Sequence, residues 1–491
     1  MGIILKQSFF NTLIIFLGFG VGGINVLFLY THFLHEDYFG LITFLLSAAN
    51  IILPLLVFGM QHTIVKFYSS YKTKMEQDGF LTTTLILPLF IIIPLAFAGA
   101  FIYETIANWI SMENPIIKKY TYLIFLLAIF MGYFEVFYSW TKVQLNSVFG
   151  NFVKEIFPRI CTTFLLFAVF FKWLNNEQFI YGVVIVYGLS TLIMMLYAFY
   201  VYKPTFKFSL PSNLKEIISF SVYIIVAGSA AGVLLEIDKF MIPQMEQIAQ
   251  VAYYSVGIYI ASVIGIPTRA MQQITSPITA KDMNENNIVE VEKLYKQTSI
   301  NLLVIGGLFF LLINLNIADL YALINKPEFT KGIWVVMIIS LSKLMELALG
   351  TGNAVLLNSK YYKIFFYLSL AMAVSVIFLN KWLIDLIGIN GAAIATLIVV
   401  VFYSVAKIIY LKSKLNIQPF NLNTIKLSLI ISAIFGVFYF WNFNFHPIIN
   451  IGLKGVLISV LYFLLINKLQ ISKDINGFIT NYAAKNDSRS I

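Results

Sequence analysis

The sequence predicts an all-α, polytopic membrane protein of about fourteen transmembrane helices. Of its 491 residues, 59% are hydrophobic and only 11% charged, where a soluble protein carries about 25% charged residues. Its polar residues fall in short clusters between apolar runs of about 20 residues, the length that crosses a bilayer. No stretch outside those runs is long enough to build a soluble domain.

In chain order the candidate spans lie near 8–31, 39–60, 80–103, 117–137, 155–172, 177–201, 215–235, 248–268, 297–315, 332–356, 362–380, 389–411, 424–441 and 447–467. The first apolar run, Phe9–Tyr30, is too long for a signal-peptide core and has no small-residue cleavage site after it, so it reads as a retained span. Pro54, Pro88, Pro94 and Gly228 fall inside spans, where neighbouring helices can satisfy the freed backbone. The segment 269–296, with DMNENNIVEVEKLYK, reads as the longest loop, carrying one amphipathic helical turn.

Orientation follows from lysine and arginine in the short loops. With the N-terminus in the cytoplasm, twenty-four of them fall inside, among them Lys66, Lys142, Lys154, Arg269 and Lys407. Seven fall outside, among them Lys118, Lys119 and Lys381. Both termini are therefore expected inside. The net charge of +10 is spread over these loops rather than gathered on one soluble face, which argues against nucleic acid as a partner.

A weak internal repeat organises the spans. FGLITFLLSAANIILP (39–54) aligns without gaps with AYYSVGIYIASVIGIP (252–267), and the spans before them end in HEDY (35–38) and EIDK (236–239). Span 7 then corresponds to span 1. The expected organisation is a six-helix lobe over 1–214, a second over 215–415, two extra spans over 416–467 and a cytoplasmic tail over 468–491. Repeated halves are the usual way a transporter builds a path between two bundles.

Motifs for covalent chemistry are missing. No phosphate-binding Gly-rich loop and no His-Glu-x-x-His occurs, so neither a nucleotide-hydrolysing site nor a zinc-protease site is expected. A single cysteine, Cys161, excludes an internal disulfide and a cysteine-based metal site and reads as a small core residue. The stretch HFLHED (32–37) reads as a polar surface turn. No metal and no cofactor is expected.

Charges inside spans carry the information. Lys343, Glu346, Gly350 and Asn353 follow 3-4-3 spacing, which on one continuous helix places them on a single face. A charge at the centre of a membrane helix costs roughly 2.5–3.5 kcal/mol on insertion scales. Lys343 and Glu346 are therefore either an ion pair holding the bundle or part of a wet lumen, and intramembrane ionisable groups point to the latter. Lys454 lies near the outer end of the last span, within snorkelling reach of the surface. Glu135, Lys154, Glu155 and Arg159 cluster where spans 4 and 5 meet the inner surface and read as salt-bridged caps. Lys66 and Arg269 end the matched spans 2 and 8, where two cations would attract an anion. Glu346 and Asp238 are candidates for a coupling ion.

LLVFGMQHTIVKFYSSY (55–71), EIDKFMI with VAYYSVGIYIASVIGIPTRAMQQITSPITAK (236–281), and GTGNAVLLNSKYYK (350–363) resemble the polysaccharide biosynthesis exporters. These are Wzx-type flippases of lipid-linked oligosaccharides, within the multidrug/oligosaccharidyl-lipid/polysaccharide (MOP) superfamily. The resemblance covers the whole chain. It implies a MATE-like fold of two six-helix lobes with V-shaped alternating access plus spans 13 and 14, which in the related lipid II flippase form a groove for the lipid tail. It also implies a cationic lumen, for which Lys66, Arg269 and Lys343 are the candidates and Lys454 a weaker one, while Asn353 extends the polar stripe of Lys343 and Glu346. The implied function is movement of an undecaprenyl-diphosphate-linked oligosaccharide across a bacterial cytoplasmic membrane for O-antigen, capsule or exopolysaccharide, with no enzymatic step. Its partners would be the lipid-linked substrate, membrane lipids, and polysaccharide polymerase and chain-length proteins. The alternatives are a multidrug or cation antiporter of the same superfamily, which would want acidic lumen residues, and a membrane-embedded polymerase or glycosyltransferase, which usually shows a large outer loop.

Overall fold

A bilayer interior offers no water to the backbone, so a spanning segment must meet its own N–H and C=O groups, and a helix does so. The computed structural model describes residues 3–205, 211–441, 443–472 and 474–477, and these form helices joined by short connections with no strand among them. Lys207, Lys473, Lys485 and Arg489, and the end of the expected tail 468–491, lie outside the described residues.

The helices are α1 (Ile3–Ile24), α2 (Glu36–Leu56), α3 (Met60–Phe67), α4 (Lys74–Ile86), α5 (Leu89–Ile110), α6 (Ile116–Val143), α7 (Val148–Glu155), α8 (Phe157–Phe170), α9 (Asn176–Val201) and α10 (Leu214–Met241). They continue with α11 (Ala249–Ser262), α12 (Ile266–Asn284), α13 (Ile288–Leu315), α14 (Ile317–Ile324), α15 (Ile333–Ala348), α16 (Gly352–Asn358), α17 (Tyr362–Ile387), α18 (Ile389–Leu415), α19 (Leu422–Tyr439) and α20 (Pro447–Lys468).

Among the described residues eleven helices are long and apolar enough to cross a membrane, or twelve if the bent pair α15–α16 is one span. The expected count of fourteen is thus not reached. The span expected over 155–172 shrinks to α8, 14 residues, because the chain breaks at Ile156 before Pro158. The one expected over 215–235 falls in α10, which carries side chains outside the described set and does not enter the count.

The span expected as continuous over 332–356 is broken. Residues 349–351 separate α15 from α16 with a bend of 51°. Gly350 there has φ +47°, a left-handed conformation that a residue with Cβ adopts only at a cost. Side chains of α13 take up the exposed backbone: Ser299 Oγ donates to the Ala348 carbonyl at 2.7 Å, and the Thr351 N–H donates to Thr298 Oγ1 at 3.2 Å. The spacing argument that aligned Asn353 with Lys343 and Glu346 assumed an unbroken helix and fails at this bend.

The loop expected over 269–296 is absent. α12 and α13 run through it and leave only residues 285–287 between them, with Asn286 at φ +55°. Ion pairs along the helix face, Lys293–Glu290 at 3.0 Å and Lys296–Glu292 at 2.6 Å, favour continued helix over a polar loop.

The chain divides by packing into two compact units, 1–255 with 373–392, and 256–372 with 393–491. In the first, α6 packs on α2, α3 and α9, and α10 on α2 and α3, burying Leu53, Val57, Ile64, Phe134, Phe137, Trp140 and Met194. In the second, α13 is the centre, packed by α12, α15, α19 and α20 around Leu302, Val304, Leu311, Leu347, Ile431 and Ile458. The last two helices are tied in by Tyr462, whose hydroxyl donates to the Val304 carbonyl at 2.8 Å.

Candidate functional site

The first unit contains a cavity of about 550 Å³, lined from α2 by Asn50 and Leu53, from α3 by Gln61, His62, Val65 and Lys66, and from α6 by Glu135, Ser139 and Lys142. Lys154 of α7 and Phe220 and Ile224 of α10 complete it. Glu135, Ser139 and Lys142 share a face because they recur at four and three residues along a helix. The α3 residues point inward because α2 ends at a turn with Phe58 at φ +51° and Gly59 at φ +62°, which starts α3 as a separate helix. A hydrogen bond of 2.9 Å between the hydroxyls of Thr63 and Ser221 fixes α3 to α10.

Gly150 brings α7 close enough to matter. A Cβ there would lie 2.3 Å from the Tyr138 ring, so only glycine lets α7 lie against α6 at this point. Lys154, one turn further, then reaches across to Glu135 with Nζ 2.5 Å from Oε1. The other two lysines rest on aromatic faces, Lys66 Nζ 3.8 Å from the Phe220 ring centre and Lys142 Nζ 3.8 Å from that of Tyr138. Three lysines and one carboxylate thus line an open cavity whose wall mixes polar side chains with the apolar Leu53, Val65, Phe220 and Ile224. Such a space suits an anion with hydroxyl-rich substituents, which Asn50, Gln61 and Ser139 can hydrogen-bond.

Of the residues singled out in the sequence, Lys66 enters this cavity. The Glu135–Lys154 pair forms as expected but lines the cavity as well as joining two helices. Arg159 pairs with Glu155 at 2.9 Å and also donates to its carbonyl at 2.6 Å, a cap in the sense expected.

In the second unit Lys343 and Glu346 form the i,i+3 pair, Nζ to Oε2 2.9 Å, with side chains 27% and 47% exposed. Asn353, beyond the bend, instead accepts a hydrogen bond from Lys407. Arg269 is exposed on α12. Lys454 is buried rather than snorkelling outward and donates to the Leu315 carbonyl at 3.3 Å, capping the end of α13. Asp238 is buried in the first unit and accepts from the Tyr254 hydroxyl and, at 2.7 Å, from the Asn380 amide. The Asn380 Oδ1 is buried with no hydrogen-bond partner beside that carboxylate, so the pair presents oxygen ligands. His35 and Asp37 of HFLHED sit in an exposed turn, and no metal-binding group of histidine, cysteine and carboxylates occurs among the described residues.

Two groups of residues escape sequence reasoning. Lys142 was counted as a loop cation, although its seven-residue spacing from Glu135 on one helix was readable. Lys407 was also assigned to an inner loop. It is instead 2% exposed within α18, its Nζ 3.8 Å from the Tyr403 ring centre and 5.0 Å from that of Phe365. The signal was its position inside VVVFYSVAKIIYL, an apolar run that continues past it.

The polysaccharide biosynthesis protein family model matches residues 4–268. A comparison with curated proteins returns no match. Among solved structures, the lipid II flippase MurJ in an inward closed conformation superposes with a TM-score of 0.72 at 15% identity, covering 95% of this chain and 99% of MurJ. An inward-facing multidrug resistance MATE family transporter of the MOP superfamily gives 0.61 at 13% identity, covering 84% and 94%. A MOP superfamily transporter from Pyrococcus furiosus, described as having a binding pocket of reverse polarity that suggests a different function, gives 0.56 at 12%, covering 84% and 95%. The likeness establishes a MOP-type, multi-pass membrane fold.

Proposed function

The chain belongs to the polysaccharide biosynthesis protein family, and from that premise we propose that it is a flippase for an undecaprenyl-diphosphate-linked oligosaccharide in a bacterial cytoplasmic membrane. The observation that carries this reading is the cavity of the first unit, where Lys66, Lys142 and Lys154 face a single carboxylate. A diphosphate diester carries two negative charges, and the net charge of these four groups is two positive. Polar side chains beside the lysines suit sugar hydroxyls. A cation antiporter would want the opposite balance.

The excess of lysine and arginine in the inner loops, even without Lys407, supports an orientation with both termini in the cytoplasm. In that orientation the cavity takes its substrate from the inner leaflet. Transport then needs no nucleotide, because an anion moving outward runs with an inside-negative potential, worth roughly 2.3 kcal/mol per charge per 100 mV. Lys343 is a further anion partner in the second unit, neutralised by Glu346 between substrates. Asp238 with Asn380 is the candidate for a coupling proton or sodium ion, with Glu346 the second. The protein makes and breaks no covalent bond in this scheme. Its surroundings are membrane lipids and the polymerase and chain-length proteins that consume its product.

Deletion of the gene should deplete a surface polysaccharide and leave its lipid-linked precursor on the cytoplasmic leaflet. Normal polysaccharide with increased sensitivity to cationic drugs would select the antiporter instead.

A further inference from the structure

Glu135 is the one carboxylate among the described residues lining the cavity, and no fold-level need explains why a site for an anion should carry one. Its partner Lys154 comes from a different helix, so the pair does not arise from neighbouring positions in the sequence. Glu135 is 20% and Lys154 43% exposed, so the lysine end of the pair is open to solvent and to whatever enters the cavity. A pair with one end this exposed can be exchanged at modest cost, since water takes up the lysine as it leaves. Among the described residues Lys66 and Lys142 meet no carboxylate within ion-pair distance; they rest on Phe220 and Tyr138.

We propose that Glu135 is a resident counter-anion: it holds Lys154 while the cavity is empty, yields it to the diphosphate of an arriving substrate, and takes it back as the substrate leaves. This deepens the reading of the cavity as a diphosphate site and rests on it. Exchange of one half-exposed pair for another costs little. A substrate dianion with several oxygens can meet all three lysines, which a single carboxylate cannot. The competing carboxylate lowers affinity but speeds release, and a transporter needs release as much as capture. Glu135 would then be a specificity-determining residue, since a singly charged lipid phosphate would displace it less effectively than a diphosphate.

The test is binding of farnesyl diphosphate to the purified full-length protein in detergent, with dissociation rates measured alongside. Glu135→Gln keeps the shape and removes the charge. It should bind roughly two- to fivefold more tightly than the unaltered protein, the scale of one partly exposed ion pair, with most of the gain in slower dissociation. Adding Lys154→Gln should abolish that gain, because the freed ammonium is its source. Glu135→Asp withdraws the carboxylate by one methylene and should fall between the two, which keeps the proposal testable if Glu135→Gln does not fold. Weaker or unchanged binding in the folded Glu variants would overturn it and leave Glu135 a plain helix-to-helix brace. Failure of the underlying reading looks different: the unaltered protein and Lys66→Gln would then bind farnesyl diphosphate equally, or not at all.

Discussion

In the first unit Lys66, Lys142 and Lys154 share one carboxylate around an open cavity, whereas in the second unit Lys343, Lys407 and Lys454 each have a partner of their own. The residue type is the same and the setting is membrane helix in both. What differs is access and surplus. Lys454 spends its charge on a helix-terminal carbonyl and Lys407 on an amide, both at 2% exposure. Lys66 is exposed and, among the described residues, rests on the rings of Phe67 and Phe220. A membrane-embedded lysine is therefore a poor guide to a binding site until its partner is known, and surplus charge facing an open space is a better one.

The largest effect that could break this contrast belongs to the cavity. A hydrogen bond to a charged group is worth about 1.5–3 kcal/mol. Lys66→Ala with Lys142→Ala should therefore lower substrate affinity, and transport at limiting substrate, by about a hundredfold or more. The check is surface polysaccharide in a complemented deletion strain, with the amount of membrane-inserted protein measured in parallel. Full complementation by the double variant would remove the cavity from the transport path.

Next in size is Gly350→Val, which probes the bend of the second unit. A Cβ at Gly350 would lie 2.7 Å from both the Ser299 backbone nitrogen and Thr298 Oγ1, and a β-branched residue does not tolerate φ +47°. A cost of about 2–4 kcal/mol is expected from strain and overpacking together. It should appear as a lowered thermal unfolding midpoint in detergent. An unchanged midpoint would mean that the bend is not built into the folded state.

The bend also marks how far the sequence could be read. Apolar runs located the helices because lipid imposes a length and leaves the backbone no alternative. Lys66 and the Lys343–Glu346 pair were legible for the same reason, since charge stands out against such a background. The bend at 349–351 was not, because Thr298 and Ser299, which take up its backbone groups, lie about 50 residues away. The cavity was illegible in the same sense: Lys142 looked like an ordinary loop cation and Lys154 like part of a salt-bridged cap, and only the approach of α7 to α6 at Gly150 puts both on one cavity. Periodicity describes one helix at a time, and a site assembled from five helices is a property of their packing.

Lys343→Ala comes third. Exposed ion pairs contribute about 0–1 kcal/mol to stability, so its loss should leave the unfolding midpoint nearly unchanged. If Lys343 also meets substrate, transport should fall about five- to tenfold through a higher KM, the scale of one lost charge contact in a wet site. Lys381→Ala, on an exposed turn of α17, serves as the comparison and should change neither quantity. Equal behaviour of the two variants would return Lys343 and Glu346 to the role of an ordinary structural pair.

The smallest expected effect is that of Lys407→Met on stability, and it separates the two kinds of lysine most cleanly. Burying an ammonium group costs several kcal/mol in desolvation, and the hydrogen bond to Asn353 with the Tyr403 face recovers part of it. Methionine has nearly the same length, needs no partner and packs against aromatic rings. The substitution loses the Asn353 contact, yet Asn353 sits at an intermediate exposure where water can replace the lost donor. These terms oppose one another, so the net change should lie within about 1 kcal/mol, as for other buried charges replaced by apolar residues of similar volume. Lys407→Ala should be worse by about 2–3 kcal/mol, because it also leaves a cavity among Tyr403 and Phe365. The paired unfolding midpoints check this directly. If Met proves as damaging as Ala, the charge itself holds α16 in place, and the second unit depends on its lysines as closely as the first.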